Sequence, residues 1–274
     1  MRTQGLSFVA LLIAAAAFAA AAAHAGDIGA SPSPAASAAY DPAALPAGDL
    51  GDSIKLGRDI VMNTQQTMKG YVRAKLECAS CHLDGGTVAK GGSFIGTASY
   101  FPQYNRRSNR IIALQDRLAE CFLYSMNGRA PNYASKEMVG LVSYIAWLSR
   151  GTPLLSTPSP ANRFIEPLPS ASPDLAHGAT IYKQQCSLCH QASGAGVAGA
   201  FPPLWGDTSF NNGAGMAHID RMTGFVMHNM PKNAPGSLSL QESYDVSGYV
   251  LSHGRPAFAG KTLVENSPLP ADYY

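Results

Sequence analysis

One five-residue pattern occurs twice in the chain: Cys78-Ala79-Ser80-Cys81-His82 and Cys186-Ser187-Leu188-Cys189-His190. Two thiols three positions apart, with a histidine directly after, suit covalent haem attachment. The thiols add to the two vinyl groups of one haem, and the histidine supplies the proximal iron ligand. A lone C-x-x-C would also fit a dithiol redox pair or half of a zinc site. Two copies, each completed by histidine, argue against both. Two haem c groups are therefore expected, held by Cys78, Cys81 and His82 and by Cys186, Cys189 and His190. Chain length agrees, since 274 residues at roughly 100–200 per domain make about two domains.

Composition marks the boundaries. Arg2, an apolar run from Phe8 to Ala23 and the small-residue exit Ala23-His24-Ala25 predict a secretory signal peptide over residues 1–25. The run approaches the minimum of about 17 residues for a membrane anchor, but its alanine richness and small-residue exit favour cleavage. The mature chain is thus expected in the periplasm, with no membrane segment. Residues 26–50, dominated by Ala, Ser, Pro and Gly, predict a flexible leader. Pro153, Pro158, Pro160, Pro167, Pro169 and Pro173 predict a semi-rigid linker over 152–173, and 257–274 a C-terminal tail. Between them lie two blocks, 51–151 and 174–256, with the same plan. Each has a helix before the motif (54–76; 175–185), a glycine-rich stretch, a Phe-Pro pair, and a closing helix (138–148; 244–252) ending near a glycine (Gly151; Gly254). This is an all-α fold of two cytochrome c-like domains, each wrapped around one haem. With 20 basic and 18 acidic residues, nothing suggests nucleic acid.

Each iron needs a distal ligand. In the second block Met230 stands 40 residues after His190, in Asn229-Met230-Pro231. A thioether in such a loop is the expected ligand of an electron-transfer haem and raises its potential. Met216, Met222, Met227, His228 and His253 compete. In the first block the matching place, 39 residues after His82, holds Cys121, the fifth cysteine. Export makes an unpaired thiol a liability unless it has a task. A thiolate ligand would lower the haem potential. Residue type and spacing alone leave a buried free Cys, with Met126 or Met138 on the iron, equally open.

The segment 100–129, YFPQYNRRSNRIIALQDRLAECFLYSMNGR, resembles the bacterial thiosulfate dehydrogenases, dihaem cytochromes with a His/Cys-ligated catalytic haem. The resemblance rests on Phe101-Pro102-x-Tyr104-Asn105-x-Arg107, Asp116-Arg117-x-x-x-Cys121 and Ser125-Met126-Asn127-Gly128, with both haem motifs and Asn229-Met230-Pro231. It covers roughly residues 50 to 255. It implies that His82 and Cys121 ligate a catalytic haem, that His190 and Met230 ligate an electron-exit haem, and that Arg107 and Arg117 bind the anionic substrate. Guanidinium groups suit such an oxyanion. If 116–124 is helical, Arg117 and Cys121 share a face, which Ser125 continues and from which its hydroxyl can reach the substrate. Arg106, Arg110 and Arg129 read as propionate or surface residues. One departure concerns the position before the distal Met, where some relatives carry a competing Lys. Here it is Asn229, and Lys232 follows the proline.

The resemblance implies oxidation of two thiosulfate ions to tetrathionate, with electrons leaving to a small soluble cytochrome or another periplasmic acceptor. Two other classes fit the motifs: a dihaem electron carrier without substrate, and a sulfur-oxidation haem subunit that needs a partner chain.

Overall fold

A computed structural model of the chain describes residues 40–159, 162 and 164–258. The expected signal peptide, the leader up to residue 39 and the tail beyond Phe258 lie outside them. The described helices are α1 (Asp49–Met62), α2 (Thr64–Thr67), α3 (Leu83–Gly86), α4 (Leu114–Tyr124), α5 (Lys136–Leu148), α6 (Leu175–Ile181), α7 (Ser187–His190), α8 (Ile219–Asn229) and α9 (Leu240–Leu251). The chain is helical, with one small exception. β1 (Gln103–Asn105) and β2 (Arg110–Ile112) form an antiparallel hairpin with Tyr104 opposite Ile111.

Each half is built on a crossing of its first and last long helices. A Cβ on Gly57 in α1 would lie 2.0 Å from the Gly140 carbonyl oxygen of α5 and 2.7 Å from Cβ of Tyr144. The second half repeats this arrangement. A Cβ on Gly178 in α6 would lie 2.1 Å from the Asp245 carbonyl oxygen of α9 and 3.0 Å from Cβ of Tyr249. Only glycine permits that approach, so backbone packs directly on backbone at each crossing. Ile54, Ile60, Val61, Met138, Leu141 and Ile145 fill the space around the first crossing.

Helix starts follow local capping chemistry. Ser135 accepts from the Met138 N–H, Asp174 accepts from Ala176 and His177, and Ser239 and Glu242 form a reciprocal capping box. That box starts α9 at Leu240, four residues before the expected 244. α9 ends with Ser252 as its cap, and Gly254, unlike Gly151, has no left-handed φ. The expected helix over 54–76 ends early, at Met62, with α2 as a single further turn. The remaining backbone finds partners elsewhere. Arg73 and Ala74 N–H both donate to the Met126 carbonyl, and Lys75 N–H donates to the Thr208 carbonyl. Gln65 meanwhile donates to the Ala74 and Leu76 carbonyls. At the described end of the leader Tyr40 lies edge-on to Tyr144 at 5.8 Å with the Arg58 guanidinium over its ring, while most of residues 41–50 are exposed.

Beside the second crossing, the buried carboxylate of Asp245 accepts from the Asp174 N–H, from His177 Nδ1 at 2.8 Å and from Gln241. The hydrogen bond to Asp245 raises the His177 pKa above its ordinary value. Burial opposes ionisation of Asp245, but the bonds from His177, Asp174 and Gln241 outweigh it and hold its pKa low. The histidine's contribution is complete below its unfolded pKa of about 6.5 and disappears as pH rises through the higher folded value. The carboxylate's contribution disappears in acid. The thermal midpoint should therefore fall between pH 6 and pH 8 in the native protein, and His177→Gln should flatten that fall. Gly57→Ala should cost about 1–3 kcal/mol or more by overpacking, read as a lower thermal midpoint with both haem motifs unchanged.

Candidate haem centres

The first motif is held from behind. Thr64, fully buried at the start of α2, accepts from the Cys78 N–H at 2.9 Å, and its hydroxyl lies 3.3 Å from Cys78 Sγ. Glu77 accepts from the Gln65 N–H, and the Glu77 N–H donates to Ser80. His82 Nδ1 lies 2.5 Å from the Gly92 carbonyl, and its ring stacks on Phe94 at 4.2 Å between centroids. A Cβ on Gly92 would sit 2.5 Å from the Cys81 carbonyl oxygen, and its φ is +66°, so only glycine turns the chain back to meet the imidazole. In the second motif His190 Nδ1 meets the Pro202 carbonyl at 2.9 Å.

These contacts fit a haem. A carbonyl only accepts, so each Nδ1 carries its proton and Nε2 keeps a lone pair, as expected for a metal-bound histidine oriented by a carbonyl. Burial pushes the His82 imidazole down to about 4 and the Cys78 and Cys81 thiols up to about 12. Burial also lowers His190 and raises Cys186 to about 11. The histidines are thus neutral, the form that binds iron. Neutral thioethers suit the cysteines' surroundings better than thiolates would. None of the four cysteines is in a disulfide.

Cys121 stands in the last turn of α4. Arg117, one turn earlier, donates through Nη1 to Cys121 Sγ at 3.4 Å. The sulfur raises the Arg117 pKa, and Glu120 adds to it against the cost of burial. Glu120 is buried, 3.5 Å from Arg117, and accepts two bonds from Asn105 Nδ2 at 3.0 and 3.1 Å. Asn105 Oδ1 in turn accepts from the Arg107 and Ser108 N–H groups, shaping the hairpin tip. The exposed Arg107 lies over the Tyr124 ring at 4.0 Å. Ser125, half-buried, is the C-cap of α4 one turn beyond Cys121. At the other end, buried Asp116 accepts from the Ala113 N–H and the Tyr133 hydroxyl and pairs with Arg110 at 3.5 Å. Arg129 binds the Gly70 carbonyl and covers Tyr71. Arg110 and Arg129 are therefore engaged in holding the fold.

Met230 is the C-cap residue of α8 and half-buried. Met126, Met138 and Met222 belong to the packed core. His228 binds Glu166 at 2.6 Å, and His253 Nδ1 binds the Tyr249 carbonyl while its ring stacks on Trp205. Sequence reading assigns no role to Glu120, and Asn105 stands in it only as part of the resemblance. Glu120 was within reach, three residues from Arg117 and next to Cys121. The hairpin that delivers Asn105 was not.

A family model described as the SoxA/TsdA cytochrome c domain matches residues 66–154, and one described as cytochrome c oxidase, cbb3-type, subunit III matches residues 173–250. The thiosulfate dehydrogenase of Allochromatium vinosum is 40% identical over 223 residues, 78% of this chain and 82% of that protein. The chain belongs to the thiosulfate dehydrogenase family. The thiosulfate dehydrogenase of Thiomonas intermedia is 39% identical over 210 residues, 75% of this chain and 67% of its own. The solved structure of thiosulfate dehydrogenase (TsdBA) from Marichromatium purpuratum matches with a TM-score of 0.76 at 33% identity. That match covers 86% of this chain and 54% of the other, so this chain spans about half of that protein. Both halves are thus cytochrome c domains, the fold that carries covalently bound haem c. Among the described residues, no helix is long and apolar enough to cross a membrane. Replacing Cys78 and Cys81 together by Ser should halve the haem content per chain, measured as pyridine haemochrome against protein mass.

Proposed function

We propose that this chain oxidises two thiosulfate ions to tetrathionate at a haem held by Cys78, Cys81, His82 and Cys121. Electrons leave through a second haem held by Cys186, Cys189, His190 and Met230. The observation that carries this reading is the Arg117 guanidinium on Cys121 Sγ at 3.4 Å, a cation beside a nucleophilic sulfur where a dianion must arrive. Family membership supports the substrate. Packing of Met126, Met138 and Met222 in the core and the bond of His228 Nε2 to Glu166 support Cys121 and Met230 as distal ligands.

When bound, the two haems accept the two electrons and relay them outward. The Cys121 thiolate bonds to the sulfane sulfur of the first thiosulfate, and this S–S bond forms with loss of two electrons. The second thiosulfate attacks that sulfane sulfur, the Cys121–sulfur bond breaks, and tetrathionate leaves with the thiolate regenerated. No proton is consumed. Arg117 serves both halves, stabilising the thiolate first as nucleophile and then as leaving group. The last turn of a helix opposes a negative sulfur by about 0.3–1 kcal/mol, whereas a charge-assisted hydrogen bond returns about 1.5–3 kcal/mol. Arg117 therefore decides the balance. Arg107 at the hairpin tip and Ser125 one turn past Cys121 take the sulfonate oxygens. The haem domains are 51–151 and 174–256, and the exported chain hands its electrons to a small soluble cytochrome or another periplasmic acceptor.

The test is thiosulfate-dependent ferricyanide reduction by the holoprotein, with tetrathionate quantified. Cys121→Met should keep both haems and lose turnover. Retention of full activity would sink the covalent role. Arg117→Gln should lower kcat/KM by about 10- to 100-fold, the loss of one charge-assisted bond. Clean haem spectra with no turnover would favour an electron carrier.

A further inference from the structure

The helix that carries Cys121 is not finished by its own domain. The last four carbonyls of an α-helix have no partner inside it. In α4 the Ser125 N–H still reaches the Cys121 carbonyl, which Met126 N–H also meets at 3.0 Å, so the open carbonyls begin at Phe122. The chain just beyond satisfies Phe122, through Gly128 N–H at 2.9 Å. Asn211, from the C-terminal domain, satisfies the next two. Its Nδ2 donates to the Leu123 carbonyl at 2.9 Å, and its N–H donates to the Tyr124 carbonyl at 3.3 Å. The same amide donates to Asn127 Oδ1 at 3.2 Å, and its Oδ1 accepts from the Gly213 N–H. Asn211 is fully buried.

A second buried asparagine holds the domains together on the other side of the first haem motif. Asn229 Nδ2 donates to the Lys90 carbonyl at 2.9 Å and to the Phe225 carbonyl at 3.0 Å. Lys90 lies two residues before Gly92, whose carbonyl orients His82. Movement between linked domains is the default expectation. Two inserted amides, one on each ligand-bearing segment of the first centre, oppose it.

We propose that Asn211 is a positioning residue for Cys121, so that the electron-exit domain completes the catalytic helix and holds its sulfur in reactive geometry. Two bare carbonyls at the end of α4 would add negative potential beside the thiolate and free the turn that seats it. Asn211 removes both effects at once. The inference rests on Cys121 being the thiolate of the first centre.

Asn211→Ala should lower turnover about 10- to 100-fold, the scale of a misplaced reacting atom, with the KM for thiosulfate within about twofold. The thiolate signature of the first haem in electron paramagnetic resonance should change while the second haem's signature stays. Asn211→Asp has the same size but loses the amide donor and adds an acceptor facing carbonyls. It should be more damaging than Ala, whereas a packing role makes it milder. The proposal is overturned if Asp is milder than Ala, or if the first-haem signature is unchanged in variants that hold both haems. Should neither variant fold, Asn127→Gly removes one partner of the amide and relieves a φ of +46°. It should shift the first-haem signature in the same direction by less, and no shift overturns the proposal. A native signature that Cys121→Met leaves unaltered overturns the ligation reading, and this proposal with it.

Discussion

Where α1 meets α5, and again where α6 meets α9, a glycine lets one helix rest on the carbonyl of the other. Everything else in each half is placed by that contact. It brings α1 and the turn of α2 that follows it behind the first motif, so that Thr64 can hold Cys78, and it sets Tyr144 to donate to the Gly85 carbonyl in α3. Side chains such as Ile54, Leu141 and Ile145 pack around the first crossing. Direct backbone contact supplies the precision that a larger apolar core would otherwise provide.

Buried charge is concentrated on α4, the helix of Cys121. Arg117, Glu120 and Asn105 form one set, and Asp116, Arg110 and Tyr133 another, each joining α4 to the hairpin segment or the chain after it. The two carboxylates are buried, and each is paired with a cation and hydrogen-bonded, the condition under which buried charge is tolerated. Glu120 fixes where the guanidinium of Arg117 points. Two residues before Met230, His228 pairs with Glu166, which Lys90 also approaches at 3.9 Å.

Much of this was legible in the residues. The two haem motifs, the helix with Arg117 and Cys121 on one face, and the closing helices follow from spacing and periodicity. Capping chemistry is equally readable at Ser239-Glu242, and it starts α9 four residues before the apolar run from Tyr244 suggests. The rest depends on long-range partners that no local pattern contains. The segment 70–76 looks helical until Met126 and Thr208 offer its N–H groups somewhere else to go. Asn105 and Asn211 look like loop polar residues until the fold brings a buried carboxylate to one and an open helix end to the other.

The C-terminal capping of α4 bears on how modular the two halves are. The repeated glycine crossings give them a common plan. An exchange of the second half for an unrelated cytochrome would nevertheless strip the Leu123 and Tyr124 carbonyls of the donors that Asn211 supplies. The halves share a plan without being interchangeable parts.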